Sequence, residues 1–330
     1  MKHILNRRAL TLTINTVLVT LGLFALAGCG QKDSGELTFA VGVEFYERPD
    51  GFKKLLETYN FQPRPDNIKK MSIGLTYKAL KNEQVDVAMG FATDGRIEAF
   101  GFMSLKDDKQ FFSVYNPAPV IRTEVLNQHP DIRDTLAPLA KKLNTTTMRQ
   151  LNKRVDVDHE NTKKVAVDWL REQTLLDSQE ATTDDNASTA GDRPEITVGG
   201  KNFTEQYLLS EMAAALLRQA GYRVKLQTGV GSVIARKSLL NDQVDLYYEY
   251  TGTAYTVFHE QSDPEIMRDP GKVYQWVKEK DAEKGVTWLE RVDFNNTYTL
   301  IMRQDHAQKL GITSISDLAR YVTKFKQDEK

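Results

Sequence analysis

Residues 82–95 have the sequence NEQVDVAMGFATDG, and residues 241–253 have the sequence NDQVDLYYEYTGT. In both stretches an Asn-acid-Gln-Val-Asp turn leads into a short strand-like segment. An aromatic residue stands five positions after the final aspartate, at Phe91 and at Tyr250. A Thr and a Gly follow each aromatic residue closely. The repeated pattern predicts two similar halves. The alternative is that so short a turn recurs by chance and that both aromatic side chains belong to the core.

Alternating strands and helices surround each turn. In the first half, period-2 and period-3.6 patterns predict strands at 37–43, 68–73 and 85–91 and helices at 52–59 and 75–80. In the second half they predict strands at 196–200, 222–226 and 244–248 and helices at 208–216 and 232–240. We interpret Asn202 and Glu205 as a capping pair at the start of the first of these helices. This alternation predicts an α/β fold with parallel sheets.

A ligand site is expected at the carboxyl ends of the strands, where open α/β sheets bind their ligands. Phe91 and Tyr250 follow such strands, and a cation follows each first strand closely, at Arg48 and at Lys201. The two halves would therefore each present one aromatic ring and one positive charge to the same place.

The first 29 residues are typical of an export signal. A short positive head precedes a mostly apolar stretch, which ends in Leu26-Ala27-Gly28-Cys29. This ending resembles a bacterial lipobox, which implies cleavage before Cys29 and lipidation of its sulfur. We therefore expect a signal peptide at 1–28, a tether at 29–35 and a protein held by lipid outside the cytoplasm, in the periplasm or on the outer face of the cell membrane. The alternative is an uncleaved membrane anchor.

Composition argues against several other functions. The chain has 44 basic and 45 acidic residues, which gives no electrostatic footprint for nucleic acid. Cys29 is the only cysteine, and the five histidines are scattered outside any metal-binding spacing. No nucleophile elbow or phosphate loop is present. We expect no catalytic residues, no metal and no cofactor, and an extracytoplasmic hydrolase is disfavoured.

Aromatic and cationic residues together suit a methylated zwitterion. A quaternary ammonium has no N–H to donate, so aromatic faces attract its diffuse charge, at about 2 kcal/mol per ring when desolvated. A carboxylate tail requires the opposite, namely Arg, Lys, Thr or backbone N–H donors.

Several motifs resemble one family, the glycine betaine, choline and carnitine binding proteins of osmoprotectant ABC importers. The stretch VGGKNFTEQ at 198–206, followed by EYTGT at 249–253 and NNTY at 295–298, is similar to the start of these proteins. Residues around Arg48, Phe91 and Tyr115 look like the family's second half. The resemblance covers about 36–171 and 195–330.

The resemblance implies a two-lobed, periplasmic-binding-protein-like fold of type II. Each lobe would be a mostly parallel sheet flanked by helices, and the lobes would close on the ligand. It also implies site residues: an aromatic cage of Tyr250, Tyr298, Phe91 and Tyr115, carboxylate contacts from Lys201, Arg48 and Thr253, and a polar wall from Asn296. Phe91 departs from the family, where Tyr is frequent at this position.

The order of the halves is exchanged relative to the family. The chain resembles a circular permutation, with residues 36–175 as the lobe equivalent to the family's second half and 195–330 as the lobe equivalent to its first. The polar segment 176–194 is predicted to be a flexible linker. We expect the cut to fall at a crossing between the lobes and to loosen their coupling. A truncated piece of a tandem binder and a lobe-swapped dimer are the alternatives.

The resulting hypothesis is a lipid-anchored solute-binding protein that captures a quaternary ammonium compatible solute and delivers it to the permease of an ABC transporter. Glycine betaine, proline betaine, carnitine and choline are not distinguished. A ligand sensor that does not transport, or a remnant of gene rearrangement, remains the alternative function.

Overall fold

The structure is a computed structural model, and it describes residues 36–177 and 193–327. The predicted signal peptide, Cys29, the tether and most of the predicted linker lie outside the described residues. Within these two ranges, no helix has both the length and the apolar character that a bilayer crossing requires.

Strands and helices alternate along most of the chain. The strands are β1 Phe39–Gly42, β2 Ile68–Met71, β3 Val87–Phe91, β4 Phe102–Ser104, β5 Pro117–Arg122, β6 Glu195–Lys201, β7 Arg223–Val230, β8 Leu246–Tyr250, β9 Val286–Trp288 and β10 Tyr298–Arg303. The helices are α1 Val43–Glu47, α2 Phe52–Tyr59, α3 Ile73–Lys81, α4 Arg96–Ala99, α5 Thr123–Gln128, α6 Asp131–Lys142, α7 Thr145–Asp156, α8 Thr162–Glu172, α9 Thr204–Gln219, α10 Ser232–Leu240, α11 Thr251–Thr253, α12 Pro264–Met267, α13 Pro270–Ala282, α14 Gln304–Leu310 and α15 Ile315–Gln327.

The strands form two five-stranded sheets, one in each lobe. Lobe 1 has the strand order β2-β1-β3-β10-β4, and lobe 2 has the order β7-β6-β8-β5-β9. In both sheets the first three strands are parallel, and the fourth strand runs antiparallel to its neighbours. The protein therefore has the two-lobed α/β fold of type II periplasmic binding proteins, as the resemblance implied.

The lobes are not the contiguous segments 36–175 and 195–330 that the sequence suggested. Strand β10 belongs to the second segment but pairs with β3, and β5 belongs to the first segment but pairs with β8. Each segment thus gives one strand to the other lobe. The physical reason is that the apolar pattern of a strand indicates its buried faces but not its partner, which tertiary packing selects.

Two short segments carry the chain between the lobes, at 113–116 and 295–297. They run side by side: Asn296 donates its backbone N–H to the Tyr115 carbonyl at 3.0 Å, and Tyr115 donates its own to the Asn295 side chain at 2.7 Å. Leu176 and Ile196, near the ends of the predicted linker, both lie in the core of lobe 2. Both described ends of the linker region therefore belong to lobe 2.

The internal repeat is visible in matching contacts. Asp86 accepts a hydrogen bond from the Thr38 backbone N–H at 2.8 Å, and Asp245 accepts one from the Thr197 backbone N–H at 2.7 Å. Arginines at the ends of the exchanged strands reach the same two carboxylates, Arg303 to Asp86 at 3.5 Å and Arg122 to Asp245 at 2.6 Å. Both turns also contain a left-handed residue, Glu83 at φ 57° and Asp242 at φ 59°. The prediction of two similar halves is confirmed.

Candidate functional site

All eight residues singled out from the sequence line one cavity between the lobes. Its empty volume is about 270 Å³. The lining residues are Arg48, Phe91 and Tyr298 from lobe 1, Tyr115 and Asn296 from the crossings, and Lys201, Thr253 and Tyr250 from lobe 2, together with Phe203 and Ser232.

Strand ends place the aromatic rings in the cavity. Phe91 is the last residue of β3, and Tyr250 is the last residue of β8, so each stands at a carboxyl end of its sheet. Tyr298 begins β10 directly opposite Phe91. Tyr115 lies in the crossing just before β5. The repeat therefore supplies two rings, one crossing supplies Tyr115, and the strand that follows the other crossing supplies Tyr298.

Five rings form a continuous arc around the cavity. Tyr298 lies 5.3 Å from Tyr115, nearly perpendicular to it, and 5.3 Å from Phe91. Phe203 continues the arc, 5.0 Å from Phe91 and 6.0 Å from Tyr250. Phe203 was not among the site residues expected from the sequence, although it stands within the VGGKNFTEQ motif. Ring faces arranged in this way attract organic cations.

Arg48 is held by a buried carboxylate. Its guanidinium donates to both oxygens of Asp50, at 2.7 and 2.6 Å, and to the Thr253 hydroxyl at 3.3 Å. Asp50 also accepts hydrogen bonds from the hydroxyls of Tyr115, at 2.6 Å, and Thr256, at 2.7 Å. Burial alone would raise the pKa of Asp50, but Arg48 and these hydroxyl donors hold it below its usual value. Residues of both lobes therefore meet at this ion pair.

Lys201 has a second buried carboxylate partner. Its ammonium lies 2.5 Å from Glu249 and 5.1 Å from the centre of the Tyr250 ring. Burial lowers the pKa of Lys201, and the negative charge of Glu249 opposes that effect. Both cations were expected to bind a ligand carboxylate. Their acidic partners, Asp50 and Glu249, were not predicted, because neither stands at a recognisable spacing from its cation in the sequence.

Glu205 has a different role from the one interpreted from the sequence. Helix α9 begins after Phe203 and has no side-chain cap, so the proposed capping pair is wrong. The Glu205 carboxylate instead accepts hydrogen bonds from Tyr250 at 2.7 Å, Asn296 at 2.9 Å and Thr93 at 2.5 Å. Complete burial raises the pKa of Glu205 to about 7. The carboxylate turns inward because these buried donors need an acceptor.

A second cavity, of about 240 Å³, adjoins the first. The two share Phe91, Phe203 and Asn296 as lining residues. Its charged groups are Glu205, Asp94, Arg96 and Asp156. Arg96 pairs with Asp94 at 2.5 Å and with Asp156 at 3.3 Å. Nowhere in the described part of the chain do three acidic, histidine or cysteine side chains group as metal ligands.

One protein family matches the chain over residues 24–172 and 194–330, and its description is the substrate binding domain of the ABC-type glycine betaine transport system. A glycine-betaine-binding protein of Pseudomonas aeruginosa is 44% identical over 143 residues, which are 43% of this chain and 46% of that protein. The carnitine transport binding protein OpuCC of Listeria monocytogenes is 36% identical over 150 residues, 45% of this chain and 48% of that protein. The chain spans about half the length of the curated relatives it matches.

Among solved structures, the crystal structure of a glycine betaine/carnitine/choline ABC transporter is similar to part of the chain. It is 33% identical, covers 44% of this chain and 53% of its own, and superposes with a TM-score of 0.33.

Proposed function

Because the chain belongs to the family of substrate-binding domains of ABC-type glycine betaine transport systems, we propose that it binds a quaternary ammonium solute of the glycine betaine, carnitine or choline type in the cleft between its lobes. It acts as a transport component and not as an enzyme. In this proposal the methylated head lies within an aromatic cage made by Tyr115, Tyr298, Phe91 and Tyr250.

The observation that carries the proposal is the arc of rings next to two buried cations. Tyr298 and Phe91 come from lobe 1 and Tyr250 from lobe 2, so closing the lobes surrounds a ligand head with π faces on several sides. Desolvated contacts of this kind contribute about 2 kcal/mol per ring, which is enough for rings in combination to select a methylated cation over water.

The cations are proposed to recognise the other end of the ligand. Arg48 and Lys201 would bind its carboxylate with help from the Thr253 hydroxyl, which already lies 3.3 Å from Arg48. Asn296 forms a polar wall of the same cavity. Because each cation also has an acidic partner, a ligand carboxylate shares those donors and does not meet a bare charge. Ligands with a carboxylate should therefore gain over choline by a moderate factor only.

The partner of this protein is proposed to be the permease of an ABC importer, at the outer side of the cytoplasmic membrane. The lipobox ending in Cys29 supports anchoring by lipid after removal of residues 1–28. The test of delivery is uptake of radiolabelled glycine betaine by cells that express the chain with its importer. A protein that binds the ligand without supporting uptake would be a sensor or a remnant.

We also propose that the halves are circularly permuted. The family matches the chain in two separate segments. The alignment with the Pseudomonas aeruginosa relative covers only about half of either chain. Both results are expected when the halves are exchanged, because one continuous alignment can then match only one half. The truncated-fragment and swapped-dimer alternatives have less support, because the cavity draws its rings from both segments of one chain. A monomeric mass at one ligand per chain is the expected result.

Calorimetric titration of residues 30–330 with glycine betaine, proline betaine, carnitine and choline tests the binding proposal. At least one of the four should bind with a stoichiometry of one. Failure of all four to release or absorb heat, confirmed by an unchanged melting temperature at millimolar ligand, would refute it.

A further inference from the structure

We propose that Glu205 is a latch that holds the two lobes closed over the ligand and orients the Tyr250 ring, an inference that rests on the proposed function of the cleft. Glu205 is a positioning residue in this proposal, since the ligand is expected to touch Tyr250 and not the carboxylate.

The two carboxylate oxygens of Glu205 serve different lobes. Oε1 accepts from the Tyr250 hydroxyl of lobe 2 at 2.7 Å and from the Asn296 amide of the crossing at 2.9 Å. Oε2 accepts from the Thr93 hydroxyl at 2.5 Å, in lobe 1. Glu205 and Thr93 are 2% and 1% exposed, so this contact is made out of water, where a hydrogen bond to a charged acceptor contributes most.

Thr93 lies where lobe 1 touches lobe 2. It comes two residues after Phe91, and its carbonyl accepts a hydrogen bond from the Asn152 amide at 2.9 Å. The preceding carbonyl, of Ala92, accepts one from Arg149 at 2.9 Å. Helix α7 of lobe 2 therefore holds the backbone of this loop, while Glu205 holds the side chain. Separation of the lobes would break all three bonds.

Charged groups of both lobes also lie near Glu205. From lobe 1 these are Asp94 and Arg96, which are paired with one another, and from α7 Asp156, which is paired with Arg96. Within the described residues, Thr93 is the donor that lobe 1 supplies to Glu205, whereas Tyr250 belongs to lobe 2 and Asn296 to the crossing. When the cleft opens, Oε2 loses the Thr93 hydroxyl and must bond to water. When the cleft closes, the Thr93 hydroxyl is again its donor.

The experiment measures the dissociation rate of glycine betaine, or of whichever of the four ligands binds, by stopped-flow tyrosine fluorescence at pH 8, where the Glu205 carboxylate is mostly ionised. Thr93→Val removes the lobe 1 donor, and Glu205→Gln replaces one acceptor oxygen by an amide nitrogen. Each variant should release the ligand about tenfold faster, which corresponds to the loss of one charge-assisted hydrogen bond. Small-angle scattering should also show less compaction on ligand addition than in the wild type.

Thr93→Ser restores the hydroxyl and should restore the slow rate, an outcome that a purely structural role of Thr93 does not require. Thr58→Val is the matched control, since the Thr58 hydroxyl donates to the Lys54 carbonyl within α2, away from both cavities. If the wild type binds but Thr93→Val and Glu205→Gln keep its rate and compaction, the latch is refuted alone. If the wild type binds none of the ligands, the proposed function fails, and the latch with it.

Discussion

Tyr298 lies directly opposite Phe91 in the sheet of lobe 1, and their ring centres are 5.3 Å apart. The two residues come from opposite sides of the predicted linker and are 207 positions apart in the sequence. One wall of the cleft is therefore assembled by both segments of the chain. Either segment alone would lack half of this wall, one strand of one sheet and four strands of the other.

Removing the Tyr250 ring should weaken ligand binding. Tyr250→Ala takes away a face of the proposed cage, and we expect at least a tenfold loss of affinity, about 1.4 kcal/mol, in calorimetric titration. Tyr250→Phe keeps the ring but loses the hydrogen bond to Glu205, so its affinity should lie between that of the wild type and that of Tyr250→Ala. An affinity of Tyr250→Ala equal to that of the wild type would remove this residue from the cage.

Arg48 should prove important for stability as well as for binding. Arg48→Met leaves the Asp50 carboxylate buried without its cation, which typically costs about 3–5 kcal/mol of unfolding free energy. The double variant Arg48→Met/Asp50→Asn removes both charges and should recover most of that loss in urea denaturation. Its affinity for glycine betaine should nevertheless stay low, because the carboxylate donor is still missing. Recovery of both properties would show that Arg48 does not contact the ligand.

Glu205 should make stability depend on pH. Its folded-state pKa is raised from its usual 4.5 to about 7, so between these values the folded protein holds a proton that the unfolded chain has released. Unfolding free energy therefore falls as pH rises through this window, by at most about 3 kcal/mol from this one group. The difference between wild type and Glu205→Gln, measured in urea from pH 5 to pH 8, isolates the contribution. A difference that stays constant across that range would contradict it.

The repeated aspartate should support its lobe, whereas its exposed neighbour should not. Asp245 accepts hydrogen bonds from Thr197 and Arg122 with a side chain that is 14% exposed, while Asp242 contacts the same arginine with a side chain that is 72% exposed. Asp245→Ala should lower the unfolding free energy by about 2 kcal/mol, and Asp242→Ala by less than about 0.5 kcal/mol. Equal effects of the two changes in thermal unfolding would argue against this assignment.

The lipid anchor is testable on the full chain. Wild-type protein should incorporate labelled palmitate and sediment with membranes, and Cys29→Ser should do neither, because the residue that receives the lipid is absent. Labelling of the Cys29→Ser variant would exclude this cysteine as the lipidated residue.

Local patterns predicted individual elements well. Helix α10 has the expected bounds of Ser232–Leu240, and α2 spans Phe52–Tyr59 with the expected apolar face buried. Strand edges were less accurate: Val43, expected to continue β1, is 58% exposed and begins α1. A four-residue strand that is followed directly by a helix has too short an alternating pattern to show where the strand ends.

Residues far apart in the sequence could be predicted to lie together only where a motif marked them. The cleft residues were found because the repeat and the family motifs mark them individually. The exchange of β5 and β10 depends on strand partners. The pairing of Lys201 with Glu249 and the inward turn of Glu205 depend on contacts between residues 45 or more positions apart. Periodicity is a property of neighbours along the chain, so it contains no information about such pairs.

The two crossings, 113–116 and 295–297, lie against each other and form the pivot about which one lobe can turn relative to the other. Groups near a pivot travel little, whereas groups far from it sweep widely. Tyr115 lies on the pivot and Tyr298 immediately beside it, so these two rings should keep their T-shaped arrangement at every angle between the lobes. Part of the binding site would then be preorganised in the open protein, and only the remaining walls would have to move when the solute binds.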